Sequence, residues 1–371
     1  MARSRQEAEA GKPLAEYCSR SVMARVNNRV QLLRTALYLP SPSPSSMAYF
    51  YSHRLKKRIT SLLQTVRFDL IFVHCSSVAP YVAGVKGIPK VLDFGDMDSQ
   101  KWLDIARYRG FPLSAGYWIE GQKLMAREKR LAGAFDFCTA TTRAELETLA
   151  GFAPHANVDY FPNGVAFDYF TPGDGSYDPH TISFVGRMDY YPNQHAMIDF
   201  CQHTLPLIRA RIPAVKLLII GAEPSTEIRA LGKLPSVTVT GTVPDVRPLV
   251  RQSALTVAPL NIARGTQNKM LESMAMGVPV ICSPSALRGV DAVDGEHVLG
   301  AQTPQEYADA IVEVITNPAR RAALSTASRE RMLARHTWSS SMQRLDGIIE
   351  RCLQQYSTKT CMETSAEEVF V

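Results

Sequence analysis

Ten short, largely apolar runs of three to seven residues recur along the chain, and helix-length stretches separate most of them. The first four are Leu70-Ile-Phe-Val-His74, Val91-Leu-Asp-Phe94, Phe135-Asp-Phe-Cys-Thr-Ala-Thr141 and Val158-Asp-Tyr-Phe161. Six more follow: Thr181-Ile-Ser-Phe-Val185, Val215-Lys-Leu-Leu-Ile-Ile220, Val237-Thr-Val-Thr240, Leu255-Thr-Val-Ala258, Val278-Pro-Val-Ile281 and His297-Val-Leu299. Runs this short suit strands buried on both faces. Helical patterns fill 117–132, 142–149, 194–211, 227–231, 246–252, 268–276 and 304–316. Strands alternating with helices make a parallel sheet covered on both sides, so the fold class is α/β.

The two groups of runs are separated by Pro162-Asn-Gly164, Pro172-Gly-Asp-Gly-Ser176 and Asp178-Pro179, the clearest linker in the chain. Two Rossmann-like doubly wound domains are therefore expected, at 67–165 and 166–337, with a ligand cleft between them. A basic helical and loop segment, 1–66, precedes them. A helix at 338–356 and a polar, disordered tail at 357–371 follow. With 371 residues, 46% of them hydrophobic, the chain can fill two cores.

Composition narrows the function classes. No run approaches the ~18 apolar residues of a membrane span, and no secretory pattern opens the sequence. The seven cysteines are scattered and form no CxxC pair, which argues against a disulfide framework and a zinc site and suits a reducing cytoplasm. The net charge of +6 is concentrated early: residues 1–70 hold twelve Lys and Arg against four Asp and Glu. Arg54-Leu-Lys-Lys-Arg58 is either a solvated helix face or a surface that docks on anionic lipid at the inner face of the plasma membrane. It lacks interleaved aromatics, and no nucleic-acid motif accompanies it.

Two stretches of the second domain carry candidate chemistry. In Gly265-Thr-Gln-Asn-Lys-Met-Leu-Glu272-Ser-Met-Ala-Met-Gly277-Val-Pro279, a glycine follows a strand and opens a helix. Free backbone N–H groups and the helix dipole there make a seat for a diphosphate. Lys269 and Glu272, three apart, share a helix face, which alone would also fit an ordinary surface ion pair. In Phe184-Val-Gly186-Arg187-Met-Asp189, a glycine allows close backbone approach and an arginine offers a fork to phosphate oxygens. Alone it would also fit a turn with a solvated arginine. Two phosphate-type elements at strand ends of one domain favour a functional site.

With these residues the chain resembles the group 1, family 4 glycosyltransferases of GT-B fold. Gly186-Arg187, Val239-Thr-Gly241-Thr-Val-Pro-Asp245 and Asn268-Lys269-xx-Glu272-xx-Ala275-xx-Val278-Pro279-Val280 are similar to their donor-binding half, and Pro162-Asn163-Gly164-Val165 to their interdomain segment. Asp93-Phe94-Gly95-Asp96-Met97-Asp98-Ser99-xx-Trp102 looks like the bacterial sugar transferases associated with exosortase and exopolysaccharide clusters. The resemblance implies a retaining transfer from a nucleotide-sugar to a glycan or polyprenyl-linked acceptor, with no metal or other cofactor. Arg187 and Lys269 would meet the donor diphosphate and share catalysis with Asp96 and Asp98, the acidic candidates of the first domain, which could equally cap the helix that follows them. Gly186, Val243, Gly265, Thr266, Asn268 and Glu272 would complete the donor site, Glu272 on the ribose and the backbone near Val243 towards the base.

Departures from the family pattern stand beside the resemblance. The glutamate expected eight residues before Glu272 is Arg264. Tyr191-Pro-Asn193 occupies the place of a lysine, and Gly95-Asp96 that of a His-Asp pair; His74, at a strand end, could line the cleft, although a lone histidine is more often structural. A glycine-rich opening unit is expected but not found: Gly11 is the one glycine before residue 84. The first β-loop-α unit is thus expected to be missing and the chain to be poorly soluble or inactive as written. A nucleotide-sugar epimerase on the same fold and a non-catalytic nucleotide-binding remnant are the alternatives.

Overall fold

The computed structural model describes residues 4–368. The chain divides into two compact units: the first holds the residues up to 140, 145–160 and those from 346 onward, the second 141–144 and 161–345.

In the first unit, β1 (Ile71–His74), β2 (Lys90–Asp93), β3 (Phe137–Ala140) and β4 (Val158–Tyr160) form a parallel sheet in the order β1-β2-β3-β4, with no reversal of direction. β2 and β3 are buried along their whole length, as central strands of a covered sheet must be. The helices Asp98–Tyr108 and Leu113–Ala132 pack together, with the Trp102 and Tyr117 rings 5.2 Å apart. Segment 1–66 contains, among the described residues, the helices Arg5–Ala10, Asn28–Tyr38, Ser45–Tyr49 and His53–Thr65. Buried Glu120 holds this segment down: it accepts from Ser45 Oγ at 2.9 Å, Ser46 N at 2.8 Å and Ser46 Oγ at 2.7 Å. In the basic helix His53–Thr65, Leu55 and Ile59 pack against the core, while Arg54, Lys57 and Arg58 stay exposed.

In the second unit, β5 (Asp178–Val185), β6 (Lys216–Ile220), β7 (Val237–Gly241), β8 (Ser253–Ala258), β9 (Val280–Cys282) and β10 (Leu299–Gly300) form a parallel sheet in the order β10-β9-β8-β5-β6-β7. The order reverses between β5 and β8, and in such sheets the crevice for a ligand opens at the carboxyl ends of the two strands flanking the reversal. Phe184, Phe200, Met188 and Met197, all essentially inaccessible, fill the core against the sheet. Each contributes roughly 1.5–3 kcal/mol by leaving water.

Three elements differ from the sequence reading. The helix read at 194–211 is Tyr191–Asp199, a π turn Phe200–Thr204 and Leu205–Arg211. Pro206 explains the break, because it has no N–H to continue the i→i−4 ladder. Helix Pro318–Arg335 goes unread because only Leu324, Ser328 and Met332 are buried on it, one of them polar. The final helix runs Trp338–Glu368 and so covers most of the stretch read as a tail; residues 369–371 of that tail lie outside the described residues. The division between units falls between 160 and 161, where the sequence reading places 165 and 166. The final helix starts in the second unit and returns to the first, where Ile348 and Cys352 are buried and Arg351 pairs with Asp159.

Pro162-Asn-Gly-Val165 is clamped to the approach to that helix. Val165 N donates to His336 O at 2.7 Å, and Asn163 O lies 3.0 Å from His336 Nδ1. A Cβ on Gly164 would sit 2.6 Å from the Trp338 backbone nitrogen, closer than atoms can approach. Gly164→Ala is therefore expected to lower stability by roughly 1–3 kcal/mol, read as a fall in Tm by calorimetry.

Glu128 is fully buried, accepts from Ser99 N at 3.1 Å and leaves Oε2 without a partner. Burial pushes its carboxyl up to about 7, opposed by the Ser99 hydrogen bonds. The folded state thus resists ionisation that the unfolded chain accepts from about pH 4.5, so this residue costs stability as pH rises from about 4.5 to 7, and the cost is constant above that. Glu128→Gln should raise Tm little at pH 4.5 and most at pH 7.5 and above, in thermal melts across that range.

Candidate functional site

Gly186 and Arg187 follow β5, and Gly265 lies in the loop after β8; both motifs stand at the carboxyl side of the reversal point of the second sheet. Gly265 has φ +60°, a conformation that glycine adopts without a Cβ clash, and it turns the chain towards helix Asn268–Ala275.

The two motifs meet at Lys269. Its Nζ donates to Asn193 Oδ1 at 2.8 Å and lies 4.7 Å from the centre of the buried Phe184 ring. Asn193, itself buried, donates from Nδ2 to Arg187 O at 2.9 Å. A Cβ on Gly186 would fall 2.7 Å from Asn193 Nδ2 and 3.2 Å from Lys269 Nζ, so the absence of a side chain there is what lets the amide and the ammonium sit over the strand end. Asn193 was not read as functional from sequence. Two signals pointed to it: Tyr191-Pro-Asn193 stands where the family pattern has a lysine, and Pro192 fits the first turn of the helix that follows β5.

Lys269 and Glu272 are both half-buried. Desolvation pulls the Lys269 ammonium down to about 7, with the Glu272 carboxylate working against it. Burial pushes Glu272 up to about 7, with Lys269 working against that. A cation so poorly hydrated gains from any anion that reaches it. Thr266 Oγ1, just before this helix, is buried without a hydrogen-bond partner.

The remaining expected residues are placed less directly. Arg187 is exposed and its fork is occupied: Nε and Nη2 bind Asp189 at 3.0 and 2.8 Å, and Nη2 binds Glu223 at 2.5 Å. These hydrogen bonds to Asp189 and Glu223 hold its charge on at every ordinary pH. Asn268 is exposed and accepts from Asn163 Nδ2 at 3.1 Å. Val243 packs its side chain against the small core cluster around Ile220 and Val250. Arg264 is half-buried just ahead of Gly265.

Asp96 and Asp98 belong to the first unit. Asp98 stands in the first turn of helix Asp98–Tyr108 and pairs with Lys101 at 2.7 Å; the N-cap position is Met97, whose N–H is bound by Glu145 at 2.9 Å. His74 Nδ1 lies 2.6 Å from Asp93 Oδ2, and Asp93 also accepts from Thr139 Oγ1 and Gly95 N. Among the described residues, no group of three or more His, Cys, Asp or Glu is placed to hold a metal ion, and no helix is long and apolar enough to cross a membrane.

Residues 179–317 match the family model described as Glycosyl transferases group 1. The chain is 26% identical over 228 residues to a GDP-mannose-dependent monoacylated alpha-(1-6)-phosphatidylinositol monomannoside mannosyltransferase of Corynebacterium glutamicum, a match covering 54% of this chain and 58% of that protein. It is 25% identical over 232 residues to a D-inositol 3-phosphate glycosyltransferase of Mycolicibacterium paratuberculosis, covering 56% of this chain and 50% of that one. The chain thus spans between half and three fifths of the length of these relatives. Among solved structures, the sucrose-phosphate synthase of Thermosynechococcus elongatus superposes with a TM-score of 0.65 at 16% identity, over 81% of this chain and 78% of that one. HepE of Anabaena, solved in complex with UDP, superposes with a TM-score of 0.63 at 14% identity, over 80% and 82%. The chain has the GT-B fold, and residues 179–317 of its second unit match the group 1 glycosyl transferase family model.

Proposed function

We propose that this chain transfers a glycosyl group from a nucleotide-sugar held by its second unit to a glycan or lipid-linked acceptor. The observation that carries this is the Gly186–Asn193–Lys269 arrangement at the reversal point of a group 1 domain: a desolvated ammonium over a strand end, next to an unpartnered buried hydroxyl and one helical turn from a carboxylate. The donor diphosphate would lie against Lys269 and Thr266, and Glu272 would accept from ribose hydroxyls. Arg187 would join by exchanging Asp189 and Glu223 for phosphate oxygens. The reaction is proposed to retain anomeric configuration. The departing diphosphate takes the acceptor's proton, Lys269 and Arg187 stabilise the charge that develops as the glycosidic bond breaks, and Asp96 and Asp98 act on the acceptor side. No metal enters this scheme, so chelation should leave transfer unchanged.

A role in building exopolysaccharide or other surface glycans, at the inner face of the plasma membrane, is part of the same proposal. Exposed Arg54, Lys57 and Arg58 offer charge without an insertable apolar face. Sedimentation with phosphatidylglycerol vesicles should show salt-sensitive binding that Arg54→Glu with Lys57→Glu removes.

The donor site is tested with purified protein, UDP- and GDP-sugars and product analysis. A glycoside is expected; a free epimerised sugar would replace transfer by epimerisation. Lys269→Met should weaken nucleoside diphosphate binding at pH 6.5 by roughly tenfold to a hundredfold, the loss of one charge-assisted phosphate contact. Asn193→Ala should weaken it less, because the ammonium remains but is no longer held.

The pH dependence follows from Lys269. An anionic ligand favours its charged form, so affinity should be flat below about pH 7 and fall by up to about tenfold per pH unit above it. Lys269→Met should flatten that fall in calorimetric titrations; an unchanged slope would assign it to another group.

A further inference from the structure

The opposite end of the second sheet carries a second concave site. A pocket of about 350 Å³ opens beside the amino ends of β5, β8 and β9, far along the strands from Gly186 and Gly265. Three half-buried arginines, Arg251, Arg321 and Arg329, line it. Each is held by neutral partners. Arg251 donates from Nε and Nη2 to Thr171 O and Oγ1, both at 2.7 Å. Arg321 donates from Nε to Ala254 O at 2.8 Å and stacks on the Tyr177 ring at 3.5 Å. Arg329 donates from Nη1 to Ala275 O.

These contacts fix where the guanidinium groups sit without neutralising them. Elsewhere the arginines Arg187, Arg211, Arg247, Arg320, Arg331 and Arg351 pair with carboxylates. Among the described residues none of the three pocket arginines has an ion pair, and the one carboxylate in the lining, Glu330, is exposed and bound to none of them. Three like charges partly withdrawn from water in one wall repel one another and are relieved by an anion. Arginine forks with unspent N–H donors suit phosphate oxygens, and the volume falls within the range of small-molecule sites.

We propose that this pocket binds a small phosphorylated molecule at a place separate from the donor site. It also abuts the helix that carries Lys269 and Glu272. Arg329 holds Ala275 O at the last turn of that helix, and Ser325 Oγ donates to Gly277 O at 2.5 Å just beyond it. A phosphate that draws on Arg329 therefore competes with the carbonyl that ends the donor helix.

The test uses inorganic pyrophosphate and isothermal titration calorimetry on the whole chain, in a Lys269→Met background that weakens the diphosphate seat of the donor site. One pyrophosphate per chain should still bind. Adding Thr326→Glu, an exposed position on the pocket wall, should weaken that binding roughly tenfold or more by placing a carboxylate against the arginines. Adding Glu330→Gln should tighten it about two- to threefold by removing a repelling charge. Neither position is buried, so both variants keep the fold. Absence of binding in the Lys269→Met background, or equal affinity with and without Thr326→Glu, overturns the proposal. Unchanged nucleoside diphosphate binding in Lys269→Met alone would instead count against the donor site and leaves this test distinct.

Discussion

The second unit is arranged around one desolvated ammonium. Lys269 reaches back over the end of β5 because Gly186 has no side chain, and Asn193 ties it to the Arg187 carbonyl. A poorly hydrated cation without an ion-pairing carboxylate in contact is costly, and the cost appears as the fall of its pKa towards neutrality. The lysine lies over β5, which with β8 forms the centre of the sheet and has large apolar side chains packed against it. The charge is thus kept ready by packing rather than by a partner, which is the condition for strong interaction with a ligand that brings its own negative charge.

The architecture was readable because its signal is repeated. Each strand of a doubly covered sheet is a short apolar run, and ten such runs in alternation with helices leave few alternatives. What escaped was whatever lacks that signal. Helix Pro318–Arg335 buries one serine among its three inward positions, and the Pro206 break needed knowledge of which N–H the ladder would miss. At the candidate site, residue type and spacing were enough to single out Lys269, Glu272 and the two glycines, and the structure brings Gly186 and Lys269 together. They did not single out Asn193, because its role depends on a contact across 76 residues of sequence. The engagement of Arg187 by Asp189 and Glu223 escaped for the same reason: the contact with Glu223 is made by a residue 36 positions away on another loop.

The first unit shows a different economy. Glu120, Glu128 and Glu145 are buried and spend their oxygens on the backbone or hydroxyls of Ser45, Ser46, Ser99 and Met97. Carboxylates here fasten irregular segments to the helices. The unshared Oε2 of Glu128 marks where that fastening is incomplete.

The path of the final helix has a consequence for how the molecule is made. Its first residues belong to the second unit, and Arg351 and Cys352 return to the sheet formed by residues 71–160. On a ribosome, that earlier sheet emerges more than 150 residues before the segment that covers Phe137 and pairs with Asp159. The first unit therefore cannot close its surface during synthesis until the second has been built, and an early-formed half must wait, partly open, for the last part of the chain.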